Sequence, residues 1–157
     1  MPIIQNFGFM WERSEVAWGR PGPGGSARFE GRQVGNLKRV VDFQQQMGIY
    51  VLYDRFEHPV QVGQSNVIFT RLRQHRSDHL RNRWAYFTWF GFFKVSVREN
   101  TLLVNNRTKE LQRQIKLEAG LNEIEAVLIQ VMEPRLNRRG SNWGDTEEYL
   151  QVREEGE

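Results

Sequence analysis

The chain has 157 residues, the size of one domain, and its 39% hydrophobic and 26% charged residues are typical of a globular protein. Its net charge is only +3, no apolar run approaches a membrane span, and no secretion signal opens the sequence, so we expect a cytoplasmic protein that does not enter a membrane. The absence of cysteine excludes disulfides and thiolate metal ligands, leaving oxygen or histidine for any metal.

Residues 1–46 are predicted to be an N-terminal elaboration that packs on the core. They carry too many large aromatic side chains for a disordered tail, and residues 7–11 are predicted to form a strand. Residues 20–26, RPGPGGS, form a loop by composition. That loop lacks the Gly-Lys-Ser/Thr ending of a phosphate-binding loop, so no nucleotide cofactor is expected.

A hairpin followed by a helix is predicted next. Two short β-type runs, Gly48–Tyr53 and residues 60–63, flank a turn-forming stretch. Residues 67–76 then show helical spacing, with Asn66 as the predicted N-cap and Ile68 and Leu72 on the inner face. A second short helix over residues 79–84 and a central strand over residues 87–97 are predicted to follow.

The stretch from Arg71 to Arg83 is a basic patch. It contains five arginines and two histidines against the single acid Asp78. A phosphate partner would meet this patch and avoid the acidic tail, residues 141–157. The alternative is an ordinary solvated face, the commoner meaning of a charge run. The candidate nucleic-acid-binding residues are Arg73, Arg76, Arg81 and Arg83.

Glu125 stands out on the last predicted helix, residues 121–133, which ends before Pro134. On a wheel of about 100° per residue, Glu125 falls inside the apolar arc between Met132 and Ile129. A carboxylate on a buried face needs a partner, because burying an unpaired charge costs several kcal/mol. That partner is either an arginine in a structural salt bridge or a metal ion.

These residues resemble the GIY-YIG endonuclease family over residues 48–137. Gly48-Ile49-Tyr50 matches the first half of the family motif, and Gln61-Val62-Gly63 falls where the second half belongs, with glutamine in place of the second tyrosine. Further matches at the family's offsets are Arg71, His75, Glu125 and Asn137. The resemblance implies an α/β fold with a small mixed or antiparallel sheet of about three strands flanked by helices, and a nuclease domain over residues 47–140.

The resemblance also implies roles for the site residues. Tyr50 would be the general base, Gln61 and His75 would support it, and Arg71 would hold the scissile phosphate. Asn137 matches a position that orients the site. Glu125 would be the protein ligand of a divalent ion, Mg2+ or Mn2+, whose other positions are water and phosphate oxygen. The implied function is a metal-dependent endonuclease that hydrolyses phosphodiester bonds in DNA.

Two other functions stay open at this point. Gln61 favours a catalytically weak or inactive nucleic-acid-binding module, whereas a protein-interaction domain is disfavoured by the buried glutamate and the arginine patch. A core with one site cuts one strand, so double-strand cleavage would require a homodimer.

Overall fold

The computed structural model describes residues 4–104 and 146–153. In these residues, strands account for 44% and helices for 10%. The helical elements are α1 (Ile68–His75) and a single 3-10 turn (Arg13–Glu15). The strands are β1 (Asn6–Glu12), β2 (Glu30–Gln33), β3 (Asn36–Asp42), β4 (Gly48–Tyr53), β5 (Pro59–Ser65), β6 (Tyr86–Gly91), β7 (Val95–Ser96), β8 (Thr101–Leu102) and β9 (Glu147–Gln151).

Seven of these strands form one mixed sheet, in the order β3-β2-β9-β1-β6-β4-β5. The β1–β9 pair is parallel and every other neighbouring pair is antiparallel. The predicted fold class, a sheet of about three strands flanked by helices, is therefore wrong. An antiparallel trio of β5, β4 and β6 is present, but its β6 edge does not end the sheet. The segments outside the predicted domain add four strands there and so cover an edge of unpaired backbone groups.

The predictions for individual strands and helices are partly confirmed and partly wrong. The predicted strand at residues 7–11 and the predicted hairpin are confirmed by β1, β4 and β5. Asn66 is not the N-cap of α1, because that position is Val67, whose backbone N–H is held by the Ser65 hydroxyl. The predicted helix over residues 79–84 is wrong, since this segment consists of turns. The predicted strand over residues 87–97 breaks after Gly91 into β6 and β7.

The two faces of the sheet bury two aromatic-rich clusters. One face carries α1 and buries, among others, Tyr50, Leu52, Phe69 and Trp89. The other face buries a cluster that includes Val51 and Phe90. Trp89 is fully buried between the strands and α1. Because both faces of the sheet are covered, β4 and β6 carry buried side chains on both faces, and Thr88 is the polar exception in β6. No helix among the described residues is long and apolar enough to cross a membrane.

A buried amide pair joins β1 to the hairpin. The Gln46 side chain is fully buried, and its Nε2 donates to Asn6 Oδ1 at 2.6 Å and to the Phe93 carbonyl at 3.1 Å. Its Oε1 accepts the backbone N–H groups of Met47 and Phe93. The carbonyl of Gln46 also accepts the N–H of Ile68, in the first turn of α1. Gln46 therefore holds the N-terminal segment, β4, the end of β6 and α1 in one arrangement.

Replacing Gln46 by alanine should strongly destabilise the fold. The change leaves the Asn6 amide and the N–H of Phe93 buried without these partners, at about 1–3 kcal/mol for each unsatisfied group. We expect the free energy of unfolding in urea to fall by about 3 kcal/mol. Gln45→Ala is the matched control, because Gln45 is exposed, and should change stability by less than about 0.5 kcal/mol. Equal effects of the two changes would contradict the role of the amide pair.

Candidate functional site

Tyr50 lies at the centre of the antiparallel trio. In the β4–β5 register it faces Gly63, and in the β4–β6 register it faces Trp89. A Cβ atom at Gly63 would overlap the hydroxyl and the ring carbons of Tyr50. Glycine at this position therefore leaves the space that the phenol ring occupies. The ring is directed to the face of the sheet that carries α1, where it belongs to the same cluster as Ile68 and Leu72.

The Tyr50 hydroxyl meets His75 at the last residue of α1. Tyr50 Oη lies 2.8 Å from His75 Nε2, and His75 Nδ1 lies 2.7 Å from Asp78 Oδ2. Because an ionised carboxylate can only accept, Nδ1 carries a proton, and in the neutral imidazole Nε2 is left to accept the Tyr50 O–H. Tyr50, His75 and Asp78 form a directed chain of hydrogen bonds, named here the Tyr50 relay. Tyr50 and His75 are each 1% exposed.

Asp78 is the member of this relay that the sequence did not predict as a site residue. Burial acts to raise the pKa of its carboxyl, but the backbone N–H of Leu80 and the His75 ring outweigh burial, so the pKa lies below its usual value. Its Oδ1 accepts the N–H of Leu80 at 2.8 Å. The His75 carbonyl accepts the indole N–H of Trp84 at 3.1 Å. A carboxylate three residues after a histidine at a helix end was the signal available in the sequence.

Arg71 lies one turn before His75 on α1, which makes the two neighbours on the helix surface. Its side chain is exposed, and Nη1 donates to Gln74 Oε1 at 2.7 Å. Gln61 faces Leu52 on β4, two residues from Gly63, so it is a diagonal neighbour of Tyr50 on the same face. Its described hydrogen bond, at 3.4 Å, goes from Nε2 to the Val62 carbonyl.

The four arginines predicted to bind nucleic acid lie in different local surroundings. Arg73 and Arg76 line an open hollow together with Trp18, whereas Arg83 lines another beside Phe56 at the hairpin turn. Arg81 is exposed, and its carbonyl accepts a hydrogen bond from the Arg13 guanidinium.

Two predicted site residues, Glu125 and Asn137, lie outside the described residues. Within residues 4–104 and 146–153, no group of three or more His, Cys, Asp or Glu side chains could hold a metal ion. The predicted magnesium site therefore depends on Glu125, which lies outside the described residues.

Comparisons of the chain with family models, with curated proteins and with solved structures yield no match. The resemblance to GIY-YIG endonucleases accordingly stays a prediction that rests on the residues of the sequence. What the structure contributes is the geometry of the Tyr50 relay.

The relay predicts the tautomer of His75. In 15N NMR spectra recorded where the His75 ring is neutral, its Nδ1 should be protonated and its Nε2 unprotonated. Tyr50→Phe removes the donor to Nε2 and should shift that nitrogen's resonance, while the proton stays on Nδ1 because Asp78 still accepts it. The other two histidines, His58 and His79, are exposed and serve as internal references. A proton found on Nε2 of His75 would contradict the relay.

Proposed function

We propose that this chain is an endonuclease that hydrolyses phosphodiester bonds in DNA with the help of a divalent metal ion. The observation that carries the proposal is the Tyr50 relay, a phenol linked to an imidazole and then to a carboxylate on the hairpin and helix where the family resemblance requires a base. Since the substrate is DNA and the chain has no cysteine for disulfides, the proposed compartment is the cytoplasm.

The relay supplies an acceptor for the proton of the Tyr50 hydroxyl. A neutral phenol is a weak base, but its hydroxyl can take a proton from an attacking water while its own proton passes to His75 Nε2. The imidazolium that forms is stabilised by Asp78 through the Nδ1–H hydrogen bond at 2.7 Å. Water oxygen then bonds to phosphorus, the bond to the leaving oxygen breaks with its electron pair on that oxygen, and solvent supplies the leaving group's proton.

Arg71 is the proposed phosphate-binding residue. Its guanidinium is exposed one helical turn from His75, and its fork geometry suits two phosphoryl oxygens. The hydrogen bond to Gln74 would be exchanged for the phosphate. A magnesium or manganese ion, when bound on Glu125, would supply positive charge near the phosphate; Asn137 is proposed to orient the site. Gln61, diagonal to Tyr50, is proposed as a supporting amide.

A DNA-binding module without hydrolysis is the second candidate. The observation that favours it is the burial of Tyr50 and His75, each 1% exposed, because a base must reach the water that it activates. Incubation of the protein with single-stranded and duplex DNA, with and without Mg2+, separates the two. Cleavage that requires the metal supports the nuclease, and binding without any cleavage supports the module.

The relay makes a ranked prediction for activity. Tyr50→Phe should lower the cleavage rate by about 10²–10⁴-fold, the usual contribution of a general base. Asp78→Asn should cause a smaller loss, since it weakens the charge that stabilises the imidazolium. Gln61→Ala should lose less than Tyr50→Phe, and Gln61→Tyr should stay active. Tyr86→Phe, on a tyrosine that packs against the cluster on the other face, is the matched control and should cut normally. Full activity of Tyr50→Phe with loss in Gln61→Ala would overturn the assignment of the base.

The metal makes a separate prediction. Glu125→Gln should abolish cleavage and leave DNA affinity and thermal stability nearly unchanged, because it removes the ligand's charge and keeps its shape. Glu123→Gln, which lies outside the apolar arc of the same predicted helix, is the control and should have little effect. Cleavage at the normal rate by Glu125→Gln would place the metal on other residues.

A further inference from the structure

A hollow on the surface beside α1 brings together residues from two distant parts of the chain. Its lining is Trp18, Gly19, Arg20, Pro21, Arg73 and Arg76, and it is named here the Trp18 hollow. Arg20 comes from the N-terminal segment, whereas Arg73 and Arg76 come from α1 and the residue that follows it. Three arginines therefore line one open concavity.

Within residues 4–104 and 146–153, these three arginines form no ion pair with a carboxylate. Among the described residues, the arginine–carboxylate ion pairs lie elsewhere, at Arg28–Glu30 and Arg153–Glu12. The pKa of Arg13 is lowered mainly by burial and to a smaller extent by the charge of Arg76. The Arg13 guanidinium lies 4.5 Å from the centre of the Trp84 ring. An anion in the hollow would relieve the mutual repulsion of these cations.

The indole of Trp18, which lines the hollow, is held by contacts on several sides. Its ring stacks on Phe69 with centroids 5.5 Å apart and planes at 14°, and it meets Trp84 edge-on at 6.1 Å. Its Nε1 donates to the Arg13 carbonyl at 3.0 Å, and its own carbonyl accepts from Arg73 Nε at 3.0 Å. The Arg76 guanidinium lies 5.1 Å from the ring centroid. Stacking of this kind orders a guanidinium before any ligand arrives.

The main chain of Arg20 is also fixed. Its N–H donates to the Ser26 hydroxyl at 3.1 Å, and its carbonyl accepts the N–H of Ala27 at 3.1 Å. A Cβ at Gly19 would overlap the Ser26 hydroxyl, and one at Gly25 would overlap the Arg20 carbonyl. The loop that looks flexible by composition is thus closed tightly enough to present Arg20 to the hollow.

We propose that the Trp18 hollow binds a backbone phosphate of duplex DNA. Planar guanidinium groups match phosphate oxygens in pairs, and they are the commonest donors to DNA backbones. Arg20 and Arg76 are exposed and the hollow is open, which suits a polyanion that passes across the surface rather than a small ion that must be enclosed.

This phosphate is a different one from the phosphate at Arg71. Side chains that are two residues apart on a helix point in directions about 200° apart. Arg71 and Arg73 therefore lie on opposite sides of α1. DNA would therefore contact both sides of α1, and the N-terminal segment would contribute to affinity without taking part in the chemistry. The site deepens the proposed function, but DNA binding at the hollow does not require that the chain cut DNA.

The test measures the binding of a short fluorescein-labelled duplex by anisotropy, across a series of salt concentrations and with EDTA present so that cleavage cannot interfere. The double change Arg20→Gln and Arg76→Gln should weaken binding several-fold and lower the slope of log K against log salt by about one unit, because one phosphate contact is lost. Lys38→Gln with Arg98→Gln removes the same charge at exposed positions of β3 and the β7–β8 turn, and should leave the slope unchanged. Circular dichroism checks the fold of each variant.

A third variant separates phosphate recognition from net charge. Arg76→Lys keeps the charge but loses the planar fork and its stacking on Trp18, so affinity should fall while the salt slope stays near that of the wild type. A slope unchanged by the Arg20 and Arg76 double change would overturn the proposal. So would displacement of DNA by inorganic phosphate at submillimolar concentration and constant ionic strength, which would make the hollow a site for the free anion.

Cleavage assays with Mg2+ distinguish this inference from the proposed function. If the chain is a nuclease, the double variant should show a raised KM with little change in kcat, because the hollow binds a phosphate that does not react. If no cleavage occurs with any variant, the endonuclease proposal fails, and the salt-dependent binding at the hollow still decides the inference by itself.

Discussion

The rest of this structure depends on the register of β4 between its two neighbours. Pairing with β5 puts Tyr50 opposite Gly63, and pairing with β6 puts it opposite Trp89. A slip of one residue would move every side chain of β4 to the other face of the sheet, and Tyr50 would leave the face that carries His75. Glycine at position 63 is what allows the phenol to lie across the neighbouring strand, since a Cβ there would overlap it. The Tyr50 relay therefore depends first on the strand register, which places the phenol, and then on α1, which places His75.

The fold also depends on the hydrogen bonds that join the N-terminal segment to the hairpin. The Gln46–Asn6 pair, buried with the Phe93 backbone, ties β1 to the start of β4, while β9 lies between β1 and β2. Buried amides of this kind specify one arrangement because any other leaves polar groups without partners. The segment predicted as an elaboration supplies three strands of the sheet, and the acidic tail supplies another. The same segment carries Trp18 and Arg20, so fold and proposed DNA contact come from one piece of chain.

The proposed chemistry and the proposed binding surface lie on opposite sides of one short helix. His75 points into the core and meets Tyr50, with Arg71 as its exposed neighbour. Phe69, Arg73 and Arg76 all contact Trp18 on the other side. A helix of eight residues has room for both because its side chains spread over the whole circumference. A change to one side is therefore expected to leave the other intact, which is what allows binding and cleavage to be tested separately.

The sequence by itself determined the local elements whose pattern is complete within a few residues: the β4–β5 hairpin with its turn, the strand near the N-terminus and the amphipathic α1. Through the family resemblance it also named Tyr50 and His75, which the structure places 2.8 Å apart. Only the tertiary structure decided the rest. The seven-stranded sheet depends on pairing between residues more than a hundred positions apart, as in Trp11 Nε1 to the Tyr149 carbonyl, and no local pattern encodes such a pairing. Asp78 meets the His75 ring, and Arg73 and Arg76 meet Trp18, because side-chain direction around a helix and its following turn is set by packing rather than by charge along the chain.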